Sequence, residues 1–559
     1  MSRDSPHLDE MPYSREPLKT LYVAQRLLTT MLLVPFWVLY YACVPRSRRP
    51  RPSWSLKQIV SVNFMRRVYR VAEVAGVTWG TRDPDANCDN RTLNETRFEW
   101  VEPLPEDLRS GIVVDDQVPF RRVGICVWPK HKPAGNPSHS SASHNLDDST
   151  SLGLEDLEAH AGQTPVIGIF LHGGGYCHMS AHEKSKTSKI PRRLMQAFTE
   201  IHSVEYRLLQ HAPFPAAVQD AAAVYAHLVR RHTCLNIPSA SSSKATSETF
   251  TDRDSQNQDH IHGTTGSDGH LTNIEYTKSK DSKDSKNNEI HGKNEKQTTG
   301  VTTKVTETTT YEKHCKIILI GDSAGGNLVL ALARWIRDEA RLPAPDGLLL
   351  LSPSCDPSHA FPDTPSCYVP RPHAETDYLV DTPEPRALLQ RTFLGHNPLE
   401  TMHSPYVSPA SQRVLKAFYG DQFATSVESL TIRALDAEVR ANIRNMISVP
   451  STPVLGGELE RSPTSLRRPM MASPRGLSLF TDFPRTCVVL GDAERLEREV
   501  IKLVGAMERD GVKVRTAWVE DGVHDVLIMG WWDQKVIDKV WTEVEAWVDD
   551  VATSRTVAS

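Results

Sequence analysis

An excess of charge of either sign is missing from this chain: 64 Lys+Arg stand against 69 Asp+Glu in 559 residues, a net charge of −5. No basic surplus therefore points to nucleic acid as a partner. Nine cysteines are present, but none are spaced Cys-x-x-Cys, so neither a zinc site nor a dense disulfide framework is indicated. Cys126 and Cys487 fall in strand-like runs and read as buried thiols. None of the three irregular stretches, 130–162, 239–310 and 412–479, shows a repeat. Apolar residues are too sparse in 239–310, which Ser, Thr, Lys, Asp, Asn and His dominate, to offset the entropy of ordering. That segment is expected to be a disordered insertion. Loop 130–162 is polar, and 412–479 is irregular, with helical character around 434–446 and a proline-rich second half.

What is present begins at Ser323. It lies in Gly321-Asp322-Ser323-Ala324-Gly325-Gly326, after the apolar run Ile317–Ile320 and before a helical pattern over Asn327–Ala340. Strand, Gly-x-Ser-x-Gly and helix in that order make a nucleophile elbow: glycine flanks let the chain turn sharply and leave the hydroxyl exposed at the carboxyl edge of a sheet. A second glycine-rich loop, His172-Gly173-Gly174-Gly175, follows the strand-like Val166–Leu171. Its backbone N–H groups, with that of Ala324 at the helix start, can converge on an oxyanion. His172 reads as a residue ordering that loop.

Ser323 needs a base and an orienting acid. His524 follows the strand-like Val512–Val519 and precedes an amphipathic helix bearing Ile537, Val540, Trp541, Val544, Trp547 and Val548. A histidine on such a loop can act as general base. Two acids end the strand-like Thr486–Leu490, Asp492 and Glu494. The order serine, acid, histidine is that of α/β hydrolases and excludes the chymotrypsin arrangement.

With these residues in view, the chain resembles the hormone-sensitive-lipase branch of α/β hydrolases, the α/β-hydrolase fold-3 family. Tyr206-Arg207-Leu208, Pro213–Ala217 with Asp220, Leu349–Pro353 and Ser404–Pro409 match further family segments, and the likeness runs from about Gln163 to Trp547. Where the family has Asp-x-Leu-x-Asp-Glu, this chain has Glu494-Arg495-Leu496-Glu497-Arg498-Glu499. Glu494 thus takes the acid's place, 30 residues before His524, with Asp492 as the alternative. The resemblance implies a mostly parallel sheet with helices on both faces, N-terminal cap helices, and no metal or organic cofactor. It also implies Ser323, Glu494 and His524 as catalytic residues, and Gly173, Gly174, Gly175 and Ala324 around the oxyanion, Gly173 shaping the loop.

Leu27–Val44 is 18 residues without a charge, near the lower limit for crossing a bilayer. No small-residue cleavage site follows, so it reads as a membrane anchor. After it, Leu56, Ile59, Val60, Phe64, Val68 and Val71 recur at helical spacing, either as a cap helix over the active site or as a helix lying on the membrane. The organisation expected is a tail 1–26, an anchor 27–44, a linker with this helix over 45–98, a catalytic domain 99–548 with its three insertions, and a tail 549–559. Orientation stays open: basic residues are denser after the anchor, while Asn90 and Asn94 lie in glycan acceptor sequons. The expected activity is hydrolysis of a short-acyl carboxylic ester on an apolar or lipid substrate, at a membrane, in the endoplasmic reticulum. Fungal steryl-acetyl hydrolases and arylacetamide deacetylases are the similar families, so amide cleavage is an alternative. A non-catalytic scaffold of the same fold is a further one.

Overall fold

In the computed structural model, the described residues are 10–131, 164–235, 311–313, 315–362, 368–380, 383–421 and 478–554. The expected insertion 239–310, all but the first two residues of loop 130–162, and the helical character around 434–446 fall outside them.

Eight strands form one sheet: β1 (Arg97–Val101), β2 (Val123–Trp128), β3 (Val166–Leu171), β4 (Glu200–Glu205), β5 (Lys316–Asp322), β6 (Gly347–Leu351), β7 (Thr486–Gly491) and β8 (Val514–Val519). Their order across the sheet is β1-β2-β4-β3-β5-β6-β7-β8. Only β1 with β2 and β2 with β4 run antiparallel; the other pairs are parallel. A parallel sheet is covered on both faces, so its strands lack polar alternation and read as continuous apolar runs. In β5, Ile317 and Leu319 enter one core while Ile318 and Ile320 enter the other; β6 divides Leu348 and Leu350 from Leu349 and Leu351 in the same way. Strand β1 was not anticipated from sequence, and the expected opening strand over Gln117–Trp128 is confined to β2.

The helices are α1 (Leu18–Cys43), α2 (Leu56–Ala75), α3 (Lys189–Leu194), α4 (Ala216–His232), α5 (Ala324–Glu339), α6 (Pro383–Leu394), α7 (Gln412–Tyr419), α8 (Glu497–Arg509) and α9 (Gln534–Thr553). Helices α4, α5 and α8 cover one face. Helix α9 covers the other through Ile537, Val540, Trp541, Val544, Trp547 and Val548, all buried as the periodicity predicts. Cys126 and Cys487 are buried thiols in β2 and β7.

Helix α1 is long and apolar enough to cross a membrane, with Leu21, Leu28, Met31, Leu32 and Leu39 exposed. It starts nine residues earlier than the uncharged stretch at Leu27. Helix α2 opens on a capping box between Ser55 and Gln58 and closes on Gly76 at φ 58°. Its inward stripe differs from the expected one: Ile59, Val62 and Ala72 are buried, while Phe64 is 37% exposed. The opposite side meets α1, where Arg67 Nε donates to Thr30 Oγ1 at 2.7 Å. Asn90 uses its amide on Phe98, accepting from its N–H at 2.6 Å and donating to its carbonyl at 3.2 Å. Asn94 is exposed.

Candidate active site

The registers Leu171↔Gly321, Asp322↔Leu351, Leu351↔Val489 and Gly491↔Val519 bring the carboxyl ends of five strands level. The loops that follow β3, β5, β6, β7 and β8 therefore meet along one edge, where such sheets place their ligands.

Ser323 sits at φ 50°, ψ −116°, a backbone conformation rare for a residue with a side chain and typical of strain held at a functional position. Space enforces its glycine flanks. A Cβ on Gly321 would lie 2.4 Å from the Gly325 carbonyl carbon, and one on Gly325 only 1.9 Å from the Leu171 oxygen. Turned outward by this elbow, Ser323 Oγ lies 2.9 Å from His524 Nε2.

Glu494 and Asp492 part company. Glu494 is fully buried; its Oε2 accepts from Ser352 Oγ at 2.6 Å and from the Gly491 N–H at 3.3 Å. Burial pushes its carboxyl up to about 8, against the opposing pull of His524 and Ser352. Its Oε1 and His524 Nδ1 are the atoms of this pair left without a hydrogen bond. Burial by itself would lower His524, but the carboxylates of Asp525, then Glu494 and Asp377, outweigh it and hold the imidazole at about 9. Asp492 instead faces Arg51, 3.6 Å away, with its side chain 36% exposed. The alternative acid is thus not brought to the histidine.

The glycine loop divides its roles. The Gly173 N–H donates to Asp322 Oδ1 at 2.9 Å, so this residue braces the loop and has no donor left for an oxyanion. Gly174 at φ 107° and Gly175 at φ 63° take conformations suited to glycine, and a Cβ on Gly174 would approach the His178 oxygen to 2.5 Å. Both line a cavity of about 120 Å³ with Ser323, Ala324 and His524. No hydrogen bond among the described residues engages the N–H groups of Gly174, Gly175 or Ala324. His172 is buried and stacks on Tyr206, and burial lowers it to about 4; it stays neutral and structural, as read from sequence. Tyr69, Ala72 and Glu73 of α2 and Leu389 and Phe393 of α6 are among the other residues of the cavity wall. Helix α2 thus contributes to that wall. A larger cavity of about 200 Å³, lined by Arg371, Glu499 and Lys502 among others, contains none of these residues. Among the described residues no group of three His, Cys, Asp or Glu is placed to hold a metal ion.

Sequence reading missed several supporting side chains. Ser352, at φ 43° just past β6, holds Glu494. Asp377 accepts from the N–H groups of Tyr378, His524 and Arg495 at 2.7, 3.3 and 2.8 Å. Asp525 Oδ2 lies 3.2 Å from His524 Nε2. Only Asp525, adjacent to the histidine, carried a local signal.

A family model described as "alpha/beta hydrolase fold" matches residues 168–254 and 295–420. The fold is that of an α/β hydrolase. Similar solved structures include a hormone-sensitive lipase from a metagenome library, 16% identical with a TM-score of 0.36, covering 70% of this chain and 79% of that one. An esterase of Pyrobaculum calidifontis is 13% identical with a TM-score of 0.39, covering 83% and 88%. An esterase/lipase from an uncultured bacterium is 14% identical with a TM-score of 0.39, covering 93% and 99%. No curated protein matches the chain. These likenesses are distant, and the chemistry of the site is carried by the chain's own residues.

Proposed function

We propose that this chain is a serine carboxylic-ester hydrolase acting through an acyl-enzyme. The observation that carries the reading is the 2.9 Å contact of His524 Nε2 with Ser323 Oγ, at an elbow beside two glycines with unengaged N–H groups. His524 takes the proton of Ser323 as Oγ attacks the ester carbonyl carbon. The N–H groups of Gly174, Gly175 and Ala324 receive the oxyanion, charge that develops only in the transition state. As the intermediate collapses, the C–O bond to the alcohol breaks and His524 returns the proton to the leaving oxygen. Water, deprotonated by His524, then attacks the acyl carbon, the bond from that carbon to Ser323 Oγ breaks, His524 returns the proton to Oγ, and the acid leaves. Glu494, held by Ser352, orients the imidazole and stabilises its charged form through Nδ1.

A cavity of about 120 Å³ with Leu389 and Phe393 in its wall supports a short, apolar acyl group. Helix α1 supports work at a membrane, because its neighbour α2 lines the cavity. The substrate class proposed is therefore an acetyl or similarly short ester of a lipid or sterol alcohol. Ser323→Ala is the test: turnover of p-nitrophenyl acetate and labelling by a fluorophosphonate should both vanish. Turnover retained in a clean preparation rejects the assignment, and faster turnover of a laurate ester than of acetate rejects the short-acyl part.

A further inference from the structure

Residues 44–55 join α1 to α2, and their side chains reach the far end of the chain. Arg51 Nη2 donates to the Asp492 carbonyl oxygen at 2.6 Å. The same guanidinium lies 3.6 Å from the Asp492 carboxylate and 3.4 Å from that of Asp521. Ser53 Oγ donates to the Asp521 carboxylate, and Trp54 Nε1 donates to the Asp521 carbonyl at 3.2 Å. Trp54 is 2% exposed and packs edge-on against Trp532, the ring centres 5.7 Å apart. This linker is therefore seated on the domain by a buried ring, with its charge on two particular loops.

Those loops carry the acid and the base: Asp492 lies two residues before Glu494, and Asp521 three before His524. They also touch directly. The Asp492 N–H donates to the Val519 oxygen at 3.3 Å and that of Ala493 to the Gly522 oxygen at 3.0 Å. Gly491 has no room for a Cβ, which would sit 2.0 Å from the Gly522 oxygen. At this junction Asp492 and Asp521 set two carboxylates close together, and their repulsion favours separating the loops. A cation between them reverses that sign. Separation would carry Glu494 away from His524, and small displacements of reacting groups are costly.

We propose that Arg51 is a positioning residue for the reaction: it ties the loop of Glu494 to the loop of His524, making the segment behind the membrane-length helix part of the active-site support. This rests on the assignment of Ser323, His524 and Glu494 above. It also gives Asp492 a place, as the anchor of the junction.

The test uses the full chain in detergent, with p-nitrophenyl acetate, and active sites counted by end-point fluorophosphonate labelling. In Arg51→Ala, kcat per labelled site should fall about tenfold or more with KM little changed. The acid limb of kcat/KM should move to lower pH, since His524 loses carboxylate support, and Arg51→Lys should recover part of both. An unchanged kcat per site together with an unmoved pH limb overturns the proposal, as does a loss accounted for entirely by fewer labelled sites. If Arg51→Ala does not fold, Asp521→Asn, which keeps the Trp54 contact to the backbone, is read by the same two measures. Activity surviving in Ser323→Ala would instead sink the ester-hydrolase reading. A silent Arg51→Ala beside an inactive Ser323→Ala sinks only the positioning role.

Discussion

Replacing Asp525 by asparagine should make this enzyme faster at neutral pH. His524 Nε2 has two polar neighbours, Ser323 Oγ at 2.9 Å and Asp525 Oδ2 at 3.2 Å. To act as a base the imidazole must be neutral, and Asp525 is the foremost group opposing the effect of burial and holding it at about 9. At that value only about 1% of the imidazole is neutral at pH 7. Two unit charges 3.2 Å apart attract by about 1.3 kcal/mol even at the dielectric constant of water, and by more inside a protein. That is about one pKa unit as a lower bound, or a tenfold larger neutral fraction at pH 7. Asparagine keeps the shape and the backbone N–H that donates to Ser352 Oγ at 3.3 Å. The expected outcome is an acid limb of kcat/KM displaced downward by about a unit or more, about tenfold or more faster turnover at pH 7, and an unchanged alkaline plateau. Several carboxyls share the site, so the limb reports the cluster as a whole. A pH-stat profile from pH 5 to 10 on a short-acyl ester reads it. A limb that stays in place or moves upward refutes the electrostatic reasoning; a collapse of the plateau would show that Asp525 has a direct part in the chemistry.

The two acids are separated by a pair of substitutions. Glu494→Gln removes the buried carboxyl that supports His524 and should lower kcat by about three to four decades, some 4–5.5 kcal/mol, whereas Asp492→Asn should cost less than about tenfold; the reverse order in steady-state assays would overturn the assignment. Stability should also depend on pH. His524 is held at about 9, above its ordinary 6.5, so its contribution is complete below about 6.5 and is lost as pH rises through about 9. Glu494, raised from 4.5 to about 8, contributes stability that is complete below about 4.5 and lost as pH rises through about 8, so Tm by calorimetry should fall between about pH 4.5 and 9, and His524→Gln should blunt the part above about 6.5.

Legibility from sequence followed the range of the interactions. The elbow was readable because its parts are neighbours: a strand, two glycines with no room for a Cβ, and a helix. Helix α9 was readable because one apolar face repeats over its length. Strand β1 was not, since Arg97–Val101 mixes charged and aromatic residues at an antiparallel edge and is strand only because β2 pairs with it. Helix α2 was undecided between cap and membrane surface: an amphipathic pattern reports that a face is covered, but not by what.

Local order along the chain therefore marked the candidate nucleophile, the glycine loop and the candidate histidine, each written within about a dozen consecutive residues, and the class of fold followed from the order of these short segments along the chain. The tertiary structure decided which acid is buried on the His524 side and which meets Arg51, since Asp492 and Glu494 are two positions apart and only the course of the loop after β7 separates them. It alone brought Arg51 to Asp492, a pairing across 441 residues. No periodicity records such a contact, because a guanidinium's partners depend on where a folded backbone delivers them.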